Sequence, residues 1–354
     1  MTPVQRLRER PDLDGDRDDG PDRTIDLDPD QKRPHRGQHT DRGQHTDDGQ
    51  HTDDGPTQPR HAARSGRTVR RTPSRLEMAS ERPQPSTSRV YDYFLGGSHN
   101  LAVDRELAAR LSDTLPDIGA IMRENRAFMR RAVRFLLDAG IDQFLDLGSG
   151  IPTDSRPGGN VHQLVRRRRR RAHVVYVDLD PTAVARSQAV LADNKNATII
   201  QADLRDPTAV FDHPDTGRLL DLTRPVAVLI LGVLHDIPDA DDPARIIAQI
   251  RDRLVPGSFL ALSQGVVESR ADTYGSASAT YDDGYARGGP RLALRGRDQT
   301  LALFDGFTLV APGLVFLEDW RPHLDDYPDR LAPASPDDDP TPGFRAALAG
   351  IGMR

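Results

Sequence analysis

The sequence predicts an α/β domain built around an open, mostly parallel sheet. Two observations carry this. From residue 144 onward, short apolar runs alternate with stretches of helical periodicity, and strand, helix, strand in that order gives parallel pairing through right-handed crossovers. Several of these runs end on Asp, Gly or Ser, at the carboxyl ends of strands, where open parallel sheets bind their ligands.

Two helical stretches come first, between Arg105 and Gly140. Leu107, Leu111 and Leu115 mark one apolar face, and Ile121, Phe128, Ala132, Phe135 and Leu136 mark the next. Gly140 suits the left-handed residue that stops a helix. The predicted strands are Phe144–Leu147, Val174–Val177, Thr198–Ile200, Val226–Leu231 and Phe259–Leu262, continuous apolar runs of the kind that is buried on both faces. Helical patterns at Val161–Arg170, Pro181–Asp193, Asp215–Leu222 and Pro243–Leu254 lie between them. Further on, Phe307–Val310 and Leu314–Leu317, separated by Ala311-Pro-Gly313, read as an antiparallel pair.

The strand ends then become the candidate site. Gly148 and Gly150 follow the first strand, where missing Cβ atoms allow a sharp turn and close approach of a ligand. A dinucleotide fingerprint would require a third glycine where Thr153 stands. It would also leave Asp146 facing a pyrophosphate, whereas a carboxylate there suits a ligand ammonium. Asp178, at the tip of the second strand, is placed to accept both hydroxyls of a ribose. Asp180 precedes Pro181 and reads as a helix cap. After the third strand, Asp203 either meets an adenine amino group, with Leu204 against the ring, or caps a short helix from Pro207 or pairs with Arg205.

Composition sets the outer limits. The 354 residues contain no cysteine, which excludes disulfides, thiolate nucleophiles and zinc-thiolate sites. The chain has no apolar run of membrane-spanning length and Met1 is followed by polar residues, so a cytoplasmic protein without a membrane partner is expected. Residues 1–88 lack apolar clusters and are expected to form a disordered leader, leaving 89–354 as one domain with a helical cap over 89–140. Within the leader, Gly37-Gln-His-Thr-Asp-Arg42 recurs twice as a six-residue repeat carrying His39, His45 and His51. A solvated low-complexity segment is expected there and no metal site is assigned, although His-rich tracts can bind metals.

Taken together, Phe144-Leu-Asp-Leu-Gly-Ser-Gly150, Val175-Tyr-Val-Asp178, Gln201-Ala-Asp-Leu204, Val233-Leu-His-Asp-Ile-Pro238 and Leu254-Val-Pro-Gly257 resemble, in order, the motifs of class I S-adenosylmethionine-dependent methyltransferases. More narrowly, Arg89-Val-Tyr-Asp-Tyr-Phe-Leu-Gly-Gly97, Arg123-Glu-Asn-Arg126, Asn160-Val-His162, Phe304-Asp-Gly-Phe307 and Trp320-Arg-Pro322 resemble an actinobacterial methyltransferase family once catalogued as a domain of unknown function. The resemblance covers roughly residues 88–354 and makes Met78 an alternative translation start. It implies a Rossmann-like, seven-stranded sheet in the order 3-2-1-4-5-7-6 with strand 7 antiparallel. It also implies S-adenosylmethionine as cofactor. Asp146, Gly148, Ser149 and Gly150 would face its methionine end, Asp178 with Leu179 the ribose, and Asp203 with Leu204 the adenine. Tyr91–Gly97 would cover it.

Methyl transfer needs an acceptor held in line and dry, and a base only where the acceptor loses a proton. His235 is the candidate base, with Asp236 to orient it. Tyr281 and Tyr285, in the Gly-, Ser- and Ala-rich span 270–290, are candidates for the wall of an acceptor pocket or members of a flexible loop. The expected partner is a small-molecule acceptor. A non-catalytic cofactor-binding protein is one alternative. The other is a nucleic-acid-directed enzyme using the six arginines Arg166–Arg171, but these stand without aromatic stacking partners in a chain of net charge -6. Residues 154–158 lengthen the loop beside the methionine end relative to the family pattern.

Overall fold

A computed structural model of the chain describes residues 84–152, 159–266, 271–285, 291–324 and 345–354. The histidine repeat, Met78 and the 154–158 insertion lie outside the described residues.

Three helices precede the sheet: α1 (Thr87–Phe94), α2 (Ala102–Thr114) and α3 (Ile118–Asp138). The fully buried Asp104 carboxylate ties the first two together, accepting from the Leu101 N–H at 2.7 Å, the Ser86 N–H at 3.0 Å and Arg89 Nε at 2.7 Å. The α/β alternation follows as β1 (Gln143–Leu147), α4 (Val161–Arg168), β2 (His173–Asp178), α5 (Pro181–Leu191) and β3 (Ala197–Gln201). It continues with α6 (Pro207–Phe211), α7 (Pro214–Leu219), β4 (Ala227–Leu231), α8 (Pro243–Asp252) and β5 (Phe259–Gly265). Last come α9 (Ala271–Gly284), α10 (Arg297–Ala302), β6 (Thr308–Leu309), β7 (Val315–Phe316) and β8 (Ala347–Met353).

The sheet runs β3-β2-β1-β4-β5-β8-β6, with β7 also on β8. The first five strands are parallel, and β8 is antiparallel to β5, β6 and β7. This is the expected order, with the sixth strand divided in two. Alternation along each strand sends side chains to opposite faces: Phe144, Val174 and Ala227 pack under α3 and α4, while Leu145, Val175 and Val228 pack with residues of α6, α7 and α8. Burying each large apolar side chain contributes about 1.5–3 kcal/mol. A third apolar cluster joins α1, α2 and the start of α3 to Ala277, Tyr281 and Tyr285 at α9.

Several expectations change. Phe307–Val310 and Leu314–Leu317 do not pair with each other. Both pair with β8 instead, Thr308 opposite Met353 and Val315 opposite Ala349. Strand β8 reads Ala-Leu-Ala-Gly-Ile-Gly-Met, without the β-branched run that advertises a strand. Its glycines make room instead, since a Cβ on Gly352 would stand 2.7 Å from Phe307 Cβ. Within the 270–290 span, Ala271–Gly284 is helical, because Ala277, Tyr281 and Tyr285 fall four residues apart and bury one face. Helix α4 ends at Arg168, so Arg169–Arg171 lie beyond it.

Candidate active site

At the carboxyl ends of the parallel strands lies a cavity of about 920 Å³. Strand tips form one half. Gly148 and Gly150 both adopt left-handed backbone (φ 72° and 67°), and a Cβ on Gly148 would lie 2.5 Å from Val233 Cγ2 in the loop after β4. The Gly148 and Ser149 N–H groups donate to the Val177 carbonyl at 2.9 and 3.1 Å, clamping the turn to β2. Among the described residues Ser149 Oγ is buried without a hydrogen-bond partner. A buried hydroxyl left unpaired costs about 1–3 kcal/mol, so a polar ligand group beside it recovers free energy.

Asp146 and Asp178 line this half. Burial pushes the Asp146 carboxyl up to about 7; the Arg126 guanidinium pulls against this and the Asp178 charge adds to it. Asp178 accepts from the Gly150 N–H at 2.7 Å and from the Asp180 N–H at 2.9 Å, yet burial still holds its pKa above the ordinary value. Asp180 caps α5, accepting from the Thr182 N–H at 2.7 Å. Leu179 is exposed and lines the cavity, as does the nearly buried Leu204.

Asp203 lines the cavity as well, but its carboxylate is taken up by Arg205. Arg205 Nε donates to both oxygens at 3.0 and 2.9 Å and its own N–H to Oδ1 at 2.9 Å. Burial alone would raise the Asp203 pKa; the Arg205 hydrogen bonds and charge outweigh it and bring the pKa below the usual range. Of the alternatives open for Asp203, the ion pair is formed, and Asp206 takes the role of cap, accepting from the Ala209 N–H at 3.1 Å. His162 supports the wall from behind. Its N–H donates to Tyr176 Oη at 2.8 Å, and burial, with Arg166 nearby, lowers its pKa to about 4, so its ring stays neutral.

Helices and the loop after β4 form the other half of the cavity. Tyr91 donates to the Met122 carbonyl at 3.2 Å and accepts from Asn125 Nδ2 at 3.3 Å. Asn125 Oδ1 accepts from Ser263 Oγ at 2.6 Å. His235 and Asp236 sit in a 3-10 turn after β4 and both line the cavity. His235 Nε2 is 3.7 Å from Asp236 Oδ1, too far for the expected orienting hydrogen bond. Asp236 accepts from the Tyr281 hydroxyl instead, and Tyr281 lies against Tyr285 with ring centroids 4.6 Å apart.

Arg295 fixes this loop and carries no sequence signal of its own. It is buried, donating from Nη1 to the Leu234 carbonyl at 2.8 Å and from Nη2 to the Ile237 carbonyl at 2.6 Å, so it brackets His235 and Asp236. The Ala293 N–H adds a hydrogen bond to the His235 carbonyl at 2.7 Å. Arg126 and Asn125 also went unassigned, although they belong to the Arg123–Arg126 motif that could have flagged them. The arginine run is exposed and lies just before β2 begins, at the opposite end of the sheet from the cavity. There Arg168 pairs with Asp138 at 3.0 Å and Arg169 donates to the Leu137 carbonyl at 2.9 Å.

The sheet order, the glycine turn after β1 and the acids at the carboxyl ends of β1 and β2 define a Rossmann-like methyltransferase fold. A family profile described as S-adenosyl methyltransferase matches residues 72–353. A crystal structure from Thermobifida fusca, assigned as a methyltransferase, is 34% identical, with a TM-score of 0.67 over 77% of this chain and 95% of that one. A protein of the family catalogued as domain of unknown function 574, from Streptomyces avermitilis, is 33% identical, with a TM-score of 0.66 over 77% of this chain and 98% of that one. None of the curated proteins matches the chain. The chain belongs to the S-adenosyl methyltransferase family and is an enzyme that uses S-adenosylmethionine. No helix among the described residues is long and apolar enough to cross a membrane.

Proposed function

We propose that the enzyme methylates a small-molecule acceptor bound in the helical half of the cavity, beside a cofactor held by the strand tips. The observation that carries this is the cavity itself: one pocket of about 920 Å³ lined by both halves, within the ~300–1,000 Å³ usual for small-molecule sites. The remoteness of the arginine run supports a small acceptor over nucleic acid.

When bound, S-adenosylmethionine supplies the methyl group as an activated sulfonium. Asp146 takes the cofactor's ammonium, with Ser149 Oγ and the turn Gly148–Gly150 against its methionine end. Asp178 accepts the ribose hydroxyls, with Leu179 at the rim. Leu204 packs on the adenine, and Asp203, its oxygens already holding Arg205, builds the edge on that side. Tyr91 and α1 close the cavity over the cofactor. His235 takes a proton from acceptors that have one to lose.

Calorimetry with S-adenosylmethionine and S-adenosylhomocysteine tests the assignment. Micromolar binding of both by the wild type, weakened at least 100-fold in Asp178→Ala, is expected. Folded protein that binds neither would overturn it.

A further inference from the structure

The helical half of the cavity holds a carboxylate, Asp236, that neither the cofactor assignment nor an arginine takes up, whereas Asp241 in the same loop pairs with Arg205. The Asp236 side chain is half-buried, 18% exposed, and among the described residues no arginine or lysine forms an ion pair with it. Its neighbours are the Tyr281 hydroxyl, which donates to it, and His235, whose Nε2 is 3.7 Å away. Burial raises its pKa, and His235 and Tyr281 only partly offset this. A carboxylate so placed lacks a cation.

The surroundings favour the same kind of ligand. Tyr281 and Tyr285, with ring centroids 4.6 Å apart, and Tyr91 all line the cavity, and the electron-rich faces of tyrosine rings attract an ammonium. The arginines that would welcome an anionic acceptor are engaged elsewhere or open to water. Arg89 pairs with Asp104 at 2.7 Å, Arg205 pairs with Asp203 and with Asp241 at 3.1 Å, Arg126 donates to Asn160 Oδ1 at 3.1 Å on the strand-tip side beside Asp146, and Arg291 is exposed.

We propose that the acceptor is an amine, anchored as its ammonium by Asp236 among the rings of Tyr281 and Tyr285, and methylated on nitrogen. This rests on the reading of the cavity given above. The atoms balance simply. The ammonium gives one proton to His235, the freed nitrogen lone pair forms the N–C bond, the electron pair of the breaking S–C bond stays on sulfur, and the product leaves as a methylated ammonium. Asp236 remains anionic throughout and His235 passes its proton to water.

The test uses the full chain saturated with S-adenosylhomocysteine, which cannot react. Its probes are matched pairs: tyramine against tyrosol and 4-hydroxyphenylacetate, tryptamine against tryptophol and indole-3-acetate, and benzylamine against benzyl alcohol and benzoate. Calorimetry is expected to show at least one amine binding tenfold or more tightly than its alcohol and its acid. In Asp236→Asn that preference is expected to disappear while S-adenosylhomocysteine affinity stays within twofold, which also reports that the variant is folded. Amines that bind no better than their matched alcohols or acids would overturn the proposal. So would an Asp236→Asn variant that loses affinity for S-adenosylmethionine but not for S-adenosylhomocysteine, because Asp236 would then serve the sulfonium. Wild-type protein that fails to bind S-adenosylhomocysteine fails the underlying reading instead, at a step before any amine is added.

Discussion

The two halves of the cavity are made in different ways. The strand-tip half is mostly backbone: two left-handed glycines, N–H groups tied to the neighbouring strand, and acids at or within two residues of a strand end. Its geometry follows from the parallel sheet. The helical half is assembled from side chains on α1, α3, the turn after β4 and α9, which meet only in the folded chain and are joined by hydrogen bonds such as Asn125–Ser263 and Tyr281–Asp236. The first half is therefore rigid by construction, and the second owes its shape to pairs of residues distant in sequence.

Substitutions should separate the halves. Gly148→Val has the largest expected effect, because it forces a branched side chain into Val233 and left-handed backbone. Cofactor affinity should fall more than 100-fold by calorimetry, and the melting temperature should drop with it. Retained affinity would show that the cofactor does not bind against the strand-tip half.

The second test is pH. Asp146 titrates at about 7 in the free protein, well above an ordinary carboxyl, so below that pH it must lose a proton before it can accept a ligand ammonium. S-adenosylhomocysteine affinity should rise by up to about tenfold per pH unit from 5 toward 7 and level off above. Calorimetry in buffers of different ionisation enthalpy should detect one proton released at pH 6 and little at pH 8. The same shift makes the unliganded fold lose stability as pH climbs from about 4 to about 7, since the folded carboxyl holds its proton more tightly than the unfolded one. Asp146→Asn should flatten both slopes, and an unchanged slope would remove Asp146 from the cofactor site.

Smaller effects belong to the helical half. Arg295→Met removes the donors that bracket His235 and Asp236. It should lower kcat by about 10–100-fold once an acceptor is known, leave cofactor affinity within threefold and cost about 2–4 kcal/mol of stability by denaturant unfolding. Tyr281→Phe removes one hydroxyl and should raise the acceptor KM about tenfold, with cofactor affinity unchanged. Replacing Arg169–Arg171 with glutamine should change neither cofactor affinity nor turnover by more than twofold. A large loss there would reopen the nucleic-acid reading.

The difference between the halves also explains what the sequence discloses. Strands β1 to β5 are legible because burial on both faces demands continuous apolar runs, and the Asp and Gly residues that follow mark the tips. Strand β8 is not, because its fit depends on the absence of side chains at Gly350 and Gly352, a property of the neighbouring Phe304 and Phe307. Helix α9 hides in a composition that also suits a loop. Tyr281 declares itself as an aromatic residue, but its choice of Asp236, 45 residues away, does not. Arg295 resembles any surface arginine until the fold buries it. Asp203 leaves alternatives open in the sequence, and only the folded chain shows that Arg205, two residues on, pairs with it.

The contact between Gly148 and Val233 links two loops separated by more than eighty positions of chain. Drift at the two sites is not independent. A larger residue at 148 meets Val233 and left-handed backbone together, so exchanging Val233 for something smaller relieves only the first of the two, and a descendant that gains a side chain at 148 carries it on a strained turn.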